Sequence, residues 1–246
     1  MSAIQTPDKS RTVRRRTANP TRDNRFYFVM SLACAVGIFF GFARTYYLKT
    51  YFATPTLSPL FHIHGAVFSA WVIFFVVQTA LIADTRVKLH RRLGYAGAAL
   101  ASAMIVLGIA AALSAAKAGF FRPIPLARNP EGALFFSLVS LMNFVIFVGA
   151  GFYFRRNRPM HQRLMLMSTA CALMPIALSR LPAEAHYVAV MFAFTLAGPV
   201  YDLVTLRRIH RAYLWSLSLF FITLPPLRML VGNSAAWYRV AHWLLS

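Results

Sequence analysis

Apolar residues in this chain gather into long runs separated by short basic connections, rather than alternating at the period of a half-buried strand. A helix needs about 20 apolar residues to cross the hydrocarbon core. Runs at about 26–47, 61–83, 93–116 and 132–154 meet that length outright. Three more, at about 164–180, 186–206 and 212–230, are shorter or hold Pro175, Pro199 and the pair Pro225 and Pro226. Proline is tolerated in a span where neighbours satisfy the freed carbonyl, so all three count as spans. The pattern predicts an all-α polytopic transmembrane helical bundle of about seven spans. Residues 1–25 show no hydrophobic periodicity and carry basic side chains amid Pro, Thr, Asn and Asp, which predicts a disordered basic tail. Residues 231–246 read as a short C-terminal segment beyond the last span.

Composition agrees with the pattern. The chain is 59% hydrophobic and 13% charged, where a soluble domain has about a quarter of its residues charged. A formal charge of +20 would on its own suit nucleic acid, but its placement favours a membrane. Seven Lys and Arg lie in the tail, four at 84–92, four at 155–163 and three at 207–211, so 18 of 26 fall on one side of the bundle. The richer side is the cytoplasmic one. That predicts a cytoplasmic N-terminus, an outer C-terminus and a multi-pass protein of the bacterial inner (plasma) membrane. The expected partners are the bilayer, its anionic lipid headgroups, and a membrane protein partner or a second copy of the chain, with no nucleic acid.

Polar residues inside the runs are few enough to weigh one by one. His64, Trp71 and Gln78 recur every seven residues in the second span and therefore share one stripe. One reading makes His64 a haem or metal ligand above polar pocket residues; the other makes the stripe a hydrogen-bonded packing seam. His186, at the outer start of the sixth span, is the candidate second axial ligand. Asp202, the one acid inside an apolar run, is either a pocket proton site or the partner of an Arg in the basic loops. Three basic junctions repeat a His beside Arg: His90 with Arg91 and Arg92, His161 with Arg163, and His210 with Arg211. Neutral imidazoles there could ligate a metal, whereas the arginines repel a cation and suit lipid phosphates.

Other features narrow the choice. Cys34 and Cys171 lie in apolar runs outside any metal-binding spacing, so both are expected to be buried and structural. No P-loop, GxGxxG, HExxH or GxSxG occurs. The last span holds no Lys between Tyr213 and Pro226, which removes a retinal Schiff base. Gly37 and Gly41 form a GxxxG that predicts close packing of the first helix.

The stretch from Arg44-Thr45-Tyr46 through His62-Ile63-His64-Gly65, Trp71, Gln78 and His90-Arg91-Arg92-Leu93-Gly94 resembles an uncharacterised family of proteobacterial multi-spanning inner-membrane proteins. The resemblance covers most of the first three helices and implies an inner-membrane protein without an assigned activity. The His-Arg-x-Leu-Gly junction is also similar to one in cytochrome b561-like and ferric-reductase-like membrane proteins, which implies haem b. The further mid-helix histidines of those families are missing from the third to fifth runs. Three functional expectations follow: a haem- or metal-binding redox-associated membrane protein, a transporter or small-molecule sensor with a polar intramembrane pocket, and an assembly factor for a larger membrane complex.

Overall fold

A computed structural model describes residues 20–52, 56–120, 129–181, 184–223, 227 and 230–246, without the side chains of 184–186. All regular structure among them is helical: α1 (Pro20–Phe42), α2 (Pro59–Ala83), α3 (Val87–Lys117), α4 (Pro130–Tyr153), α5 (Arg158–Met167), α6 (Met174–Leu178), α7 (Glu184–Leu206), α8 (Arg211–Thr223) and α9 (Ala235–Leu245). Among the described residues five helices are long and apolar enough to cross a membrane: Pro20–Tyr47, Pro59–Ala83, Val87–Lys117, Pro130–Tyr153 and Tyr187–Leu206. Their outward faces carry bare apolar side chains such as Ile73, Val106, Val200 and Leu203. Such a surface is stable against hydrocarbon and unfavourable against water.

Local sequence sets the helix ends. Pro130 and Pro159 open α4 and α5, where a missing backbone N–H costs nothing. Asn129 and Asn157 cap the same helices, with Asn129 Oδ1 accepting from the Gly132 N–H at 2.7 Å. The first helix begins at Pro20, six residues before the predicted span, so the end of the predicted tail is ordered. Asp23 in its first turn is buried and accepts from the Tyr201 hydroxyl at 2.9 Å. That bond, with Phe26 stacked on Tyr201, ties the start of α1 to α7. The predicted C-terminal segment folds into α9, which Trp237 fixes by donating to the Glu131 carbonyl at 3.0 Å.

Helices α1 to α4 pack in sequence order, and α4 then turns back onto residues 158–178. This last stretch is the centre of the bundle. It reaches from α5 to α6 through a π turn, Ser168–Leu173, whose six residues are all buried. Pro175 follows at the start of α6, so the central segment is an irregular helix, and π turns commonly mark functional positions. Gly41 lets α1 meet α6, as the GxxxG spacing requires: a Cβ there would lie 2.3 Å from the Ala177 carbonyl oxygen. The 84–92, 155–163 and 207–211 connections gather at one end of the bundle, its basic end.

Candidate functional site

The three residues of the α2 stripe are spread along the helix rather than set at one level. Fourteen residues separate His64 from Gln78, and at 1.5 Å per residue that is about 21 Å. His64 lies near the far end of the bundle, half-buried, with its ring 4.1 Å from Phe68 and within electrostatic reach of Arg180. Trp71 sits mid-helix and is 1% exposed. Gln78 is buried near the basic end, where its backbone carbonyl faces Nδ1 of His90 at 3.3 Å. The proposed pairing of His64 with His186 rests on a side chain outside the described residues.

Asp202 is fully buried and held by Arg163 through two bonds, Nε to Oδ2 at 2.8 Å and Nη2 to Oδ1 at 2.6 Å. The third guanidinium nitrogen donates to the Pro159 carbonyl at 2.9 Å. Bidentate geometry with the remaining donor satisfied is what a buried ion pair needs to offset its desolvation. Asp202 Oδ2 also accepts from the His210 backbone N–H at 3.2 Å, which fixes the turn between α7 and α8. Within that turn His210 Nδ1 accepts from the Ala212 N–H. Burial, and then the Arg163 charge, push the His210 imidazole down, so it stays neutral and able to accept. Asp202 is thus ion-paired beside the turn between α7 and α8.

The three junction histidines do not form one cluster. His90 and His161 lie with ring centres 6.1 Å apart and planes at 81°, while His210 belongs to the Arg163–Asp202 group. Arg91, Arg92 and Arg211 are exposed, as headgroup contacts require. Among the described residues no three His, Cys, Asp or Glu side chains converge as a metal site. Cys34 and Cys171 are both buried and free.

A second set of polar groups is buried within the helices, away from both helix ends. Trp71 Nε1 on α2, Ser140 Oγ and Asn143 Oδ1 on α4, and Thr169 Oγ1 in the π turn are buried without a hydrogen-bond partner among the described residues. All four side chains are at most 2% exposed. Trp71 packs edge-on against Phe144, next to Asn143, at 5.1 Å. Asn143 Nδ2 is satisfied, donating to Thr223 Oγ1 at 2.9 Å, which aims the amide and leaves its oxygen bare. An unmade bond of this kind costs about 1–3 kcal/mol, and helices packed together rarely leave several such atoms at one level. Of these residues Trp71 alone is singled out from the sequence. Asn143 carried a signal, being the one Asn inside an apolar run, whereas Ser140 and Thr169 read as ordinary small packing residues.

Comparison with protein-family models, with curated proteins and with solved structures gives no match.

Proposed function

We propose that the chain is a seven-span inner-membrane protein, N-terminus inside, that binds a small polar molecule at the bilayer midplane as a transporter or sensor. The observation that carries the reading is a belt of four buried, unpartnered polar atoms on elements that pack in series: Trp71 of α2 lies on Phe144 of α4, and α4 packs on the π turn that holds Thr169. Binding sites in transporters lie near the midplane, where broken helices expose polar groups inside a dry bundle. Here Ser168–Leu173 and Pro175 break the central helix at that height. The belt offers one indole donor, one amide oxygen acceptor and two hydroxyls able to do either. That set suits a neutral, hydrogen-bonding ligand and gives no charge to hold an ion. All four side chains are enclosed, so binding requires the bundle to open there, and the π turn is the element placed to allow it.

The test is aqueous access. In a Cys34→Ala, Cys171→Ala background, Ser140→Cys is expected to react with a hydrophilic, membrane-impermeant methanethiosulfonate reagent on protein reconstituted in liposomes. A thiol at position 140 that stays unmodified for hours, in protein that remains folded, overturns the reading in favour of a closed packing seam.

The seven-span arrangement has its own test. Separate single cysteines replacing Ala3 and Ser246 are expected to label from opposite faces of the membrane, position 3 from the cytoplasmic one. Labelling of both from one face reduces the count to six and removes the last span.

A further inference from the structure

A carbonyl oxygen only accepts, so each Nδ1 that faces one must carry the hydrogen. His90 Nδ1 faces the Gln78 carbonyl at 3.3 Å, and His161 Nδ1 faces the Gly151 carbonyl at 2.8 Å. Both rings are therefore fixed as the tautomer with a bare Nε2. Backbone carbonyls holding one ring nitrogen so that the other can ligate is the outer-shell arrangement of metal-binding histidines. The ring centres are 6.1 Å apart. Two metal–nitrogen bonds of about 2.0 Å, with about 1.1 Å from each nitrogen to its ring centre, span roughly that distance when nearly opposed.

Sequence places a third donor beside them. Met165 lies four residues after His161 on α5, hence on the same face one turn along. Both meet α4 at Gly151. The Gly151 carbonyl holds His161, and its missing side chain leaves room for the Met165 sulfur, which a Cβ would meet at 2.7 Å. Met165 also packs against the cluster of Tyr27, Phe75 and Leu166 and against the main core. On α2, three residues past Phe75, Gln78 is buried with its side-chain oxygen unpartnered among the described residues.

We propose that His90, His161 and Met165 form a cuprous-ion site at the basic end of the bundle, separate from the midplane belt. Two neutral imidazoles and a thioether are a soft, uncharged donor set, and thioether favours copper(I) over zinc or iron. Two imidazoles without an acidic ligand also suit a monovalent ion better than a divalent one. The surrounding arginines do not forbid it. Arg163 is neutralised by Asp202, and Arg91 and Arg92 are exposed to solvent, whose high dielectric weakens their repulsion of a bound cation.

The test uses full-length protein in detergent under anaerobic reducing conditions, with copper(I) supplied as its bicinchoninate complex. Wild type is expected to withdraw one copper per chain. His90→Asn and His161→Gln keep a donor for each carbonyl, and each is expected to weaken binding beyond the 10–100-fold typical of a lost outer-shell partner. His64→Ala and His210→Ala leave it unchanged. Met165→Leu, a volume-conserving change, weakens binding without unfolding the chain and decides the matter should both histidine variants misfold. X-ray absorption on the loaded wild type is expected to show nitrogen and sulfur neighbours of copper. Failure to withdraw copper, binding unaffected in the folded variants, tighter retention of zinc(II) than of copper(I), or a spectrum without sulfur overturns the proposal.

Discussion

Asp202→Asn is expected to destabilise the bundle by about 3–5 kcal/mol, the cost of leaving one member of a buried ion pair alone. Asn keeps the size of the side chain and one oxygen, so packing does not change; what is lost is the charge opposite Arg163. That guanidinium is 3% exposed and reaches no other acid within salt-bridge distance among the described residues. It must then stay charged and uncompensated in a region of low dielectric, or drag water in with it. The same substitution weakens the acceptor that holds the His210 N–H, so the α7–α8 turn loosens too. Unfolding in mixed micelles measures the loss. A paired replacement, Arg163→Met with Asp202→Leu, is expected to recover most of the stability, because removing both charges also removes the desolvation penalty. Equal stability of wild type and Asp202→Asn would mean that the pair is not formed in the bilayer.

Gly41→Val is expected to cost about 3 kcal/mol, at the upper end of what overpacking a close contact incurs. The first atom of the new side chain would lie 2.3 Å from the Ala177 carbonyl oxygen and 2.6 Å from its carbon. These are backbone atoms, so no rotamer change relieves the overlap and α1 must move away from α6. Gly149 supplies the control, since a Cβ there meets nothing within 4 Å. Gly149→Ala is expected to be neutral or slightly stabilising, as glycine is a poor helix former. Thermal melting of the two variants side by side separates the contact from a general intolerance of side chains. A Gly41→Val protein that melts with wild type would rule out the close approach of α1 and α6.

The contrast between these two sites shows what could be read from sequence. The close packing of α1 was legible because GxxxG is a local spacing with one physical meaning. The apolar runs were legible for the same reason, since hydrocarbon demands length and little else. Asp202 was visible as an anomaly, yet its partner was not: Arg163 was one of several arginines in the basic loops, and only the return of α5 beside α7 selects it. The polar belt was hardest to see. Trp71, the α4 pair Ser140 and Asn143, and Thr169 come from three separate elements, and small polar residues are common in spans. Nor does any local signal announce the π turn at Ser168–Leu173, which depends on how the central segment fits its neighbours. His90 and His161 looked equivalent to His210 in their repeated Arg context. What distinguishes them is which carbonyl or carboxylate each meets after folding.

The claim that bears most weight is that the four mid-bundle polar atoms exist to hold something. A map of the protein in lipid nanodiscs, resolved finely enough to show ordered water and small molecules, tests it directly. Density about 3 Å from Trp71 Nε1 and Asn143 Oδ1, bridging toward Ser140 and Thr169, is the predicted result. Side chains that repack to bond one another, with no room or density between them, would contradict it.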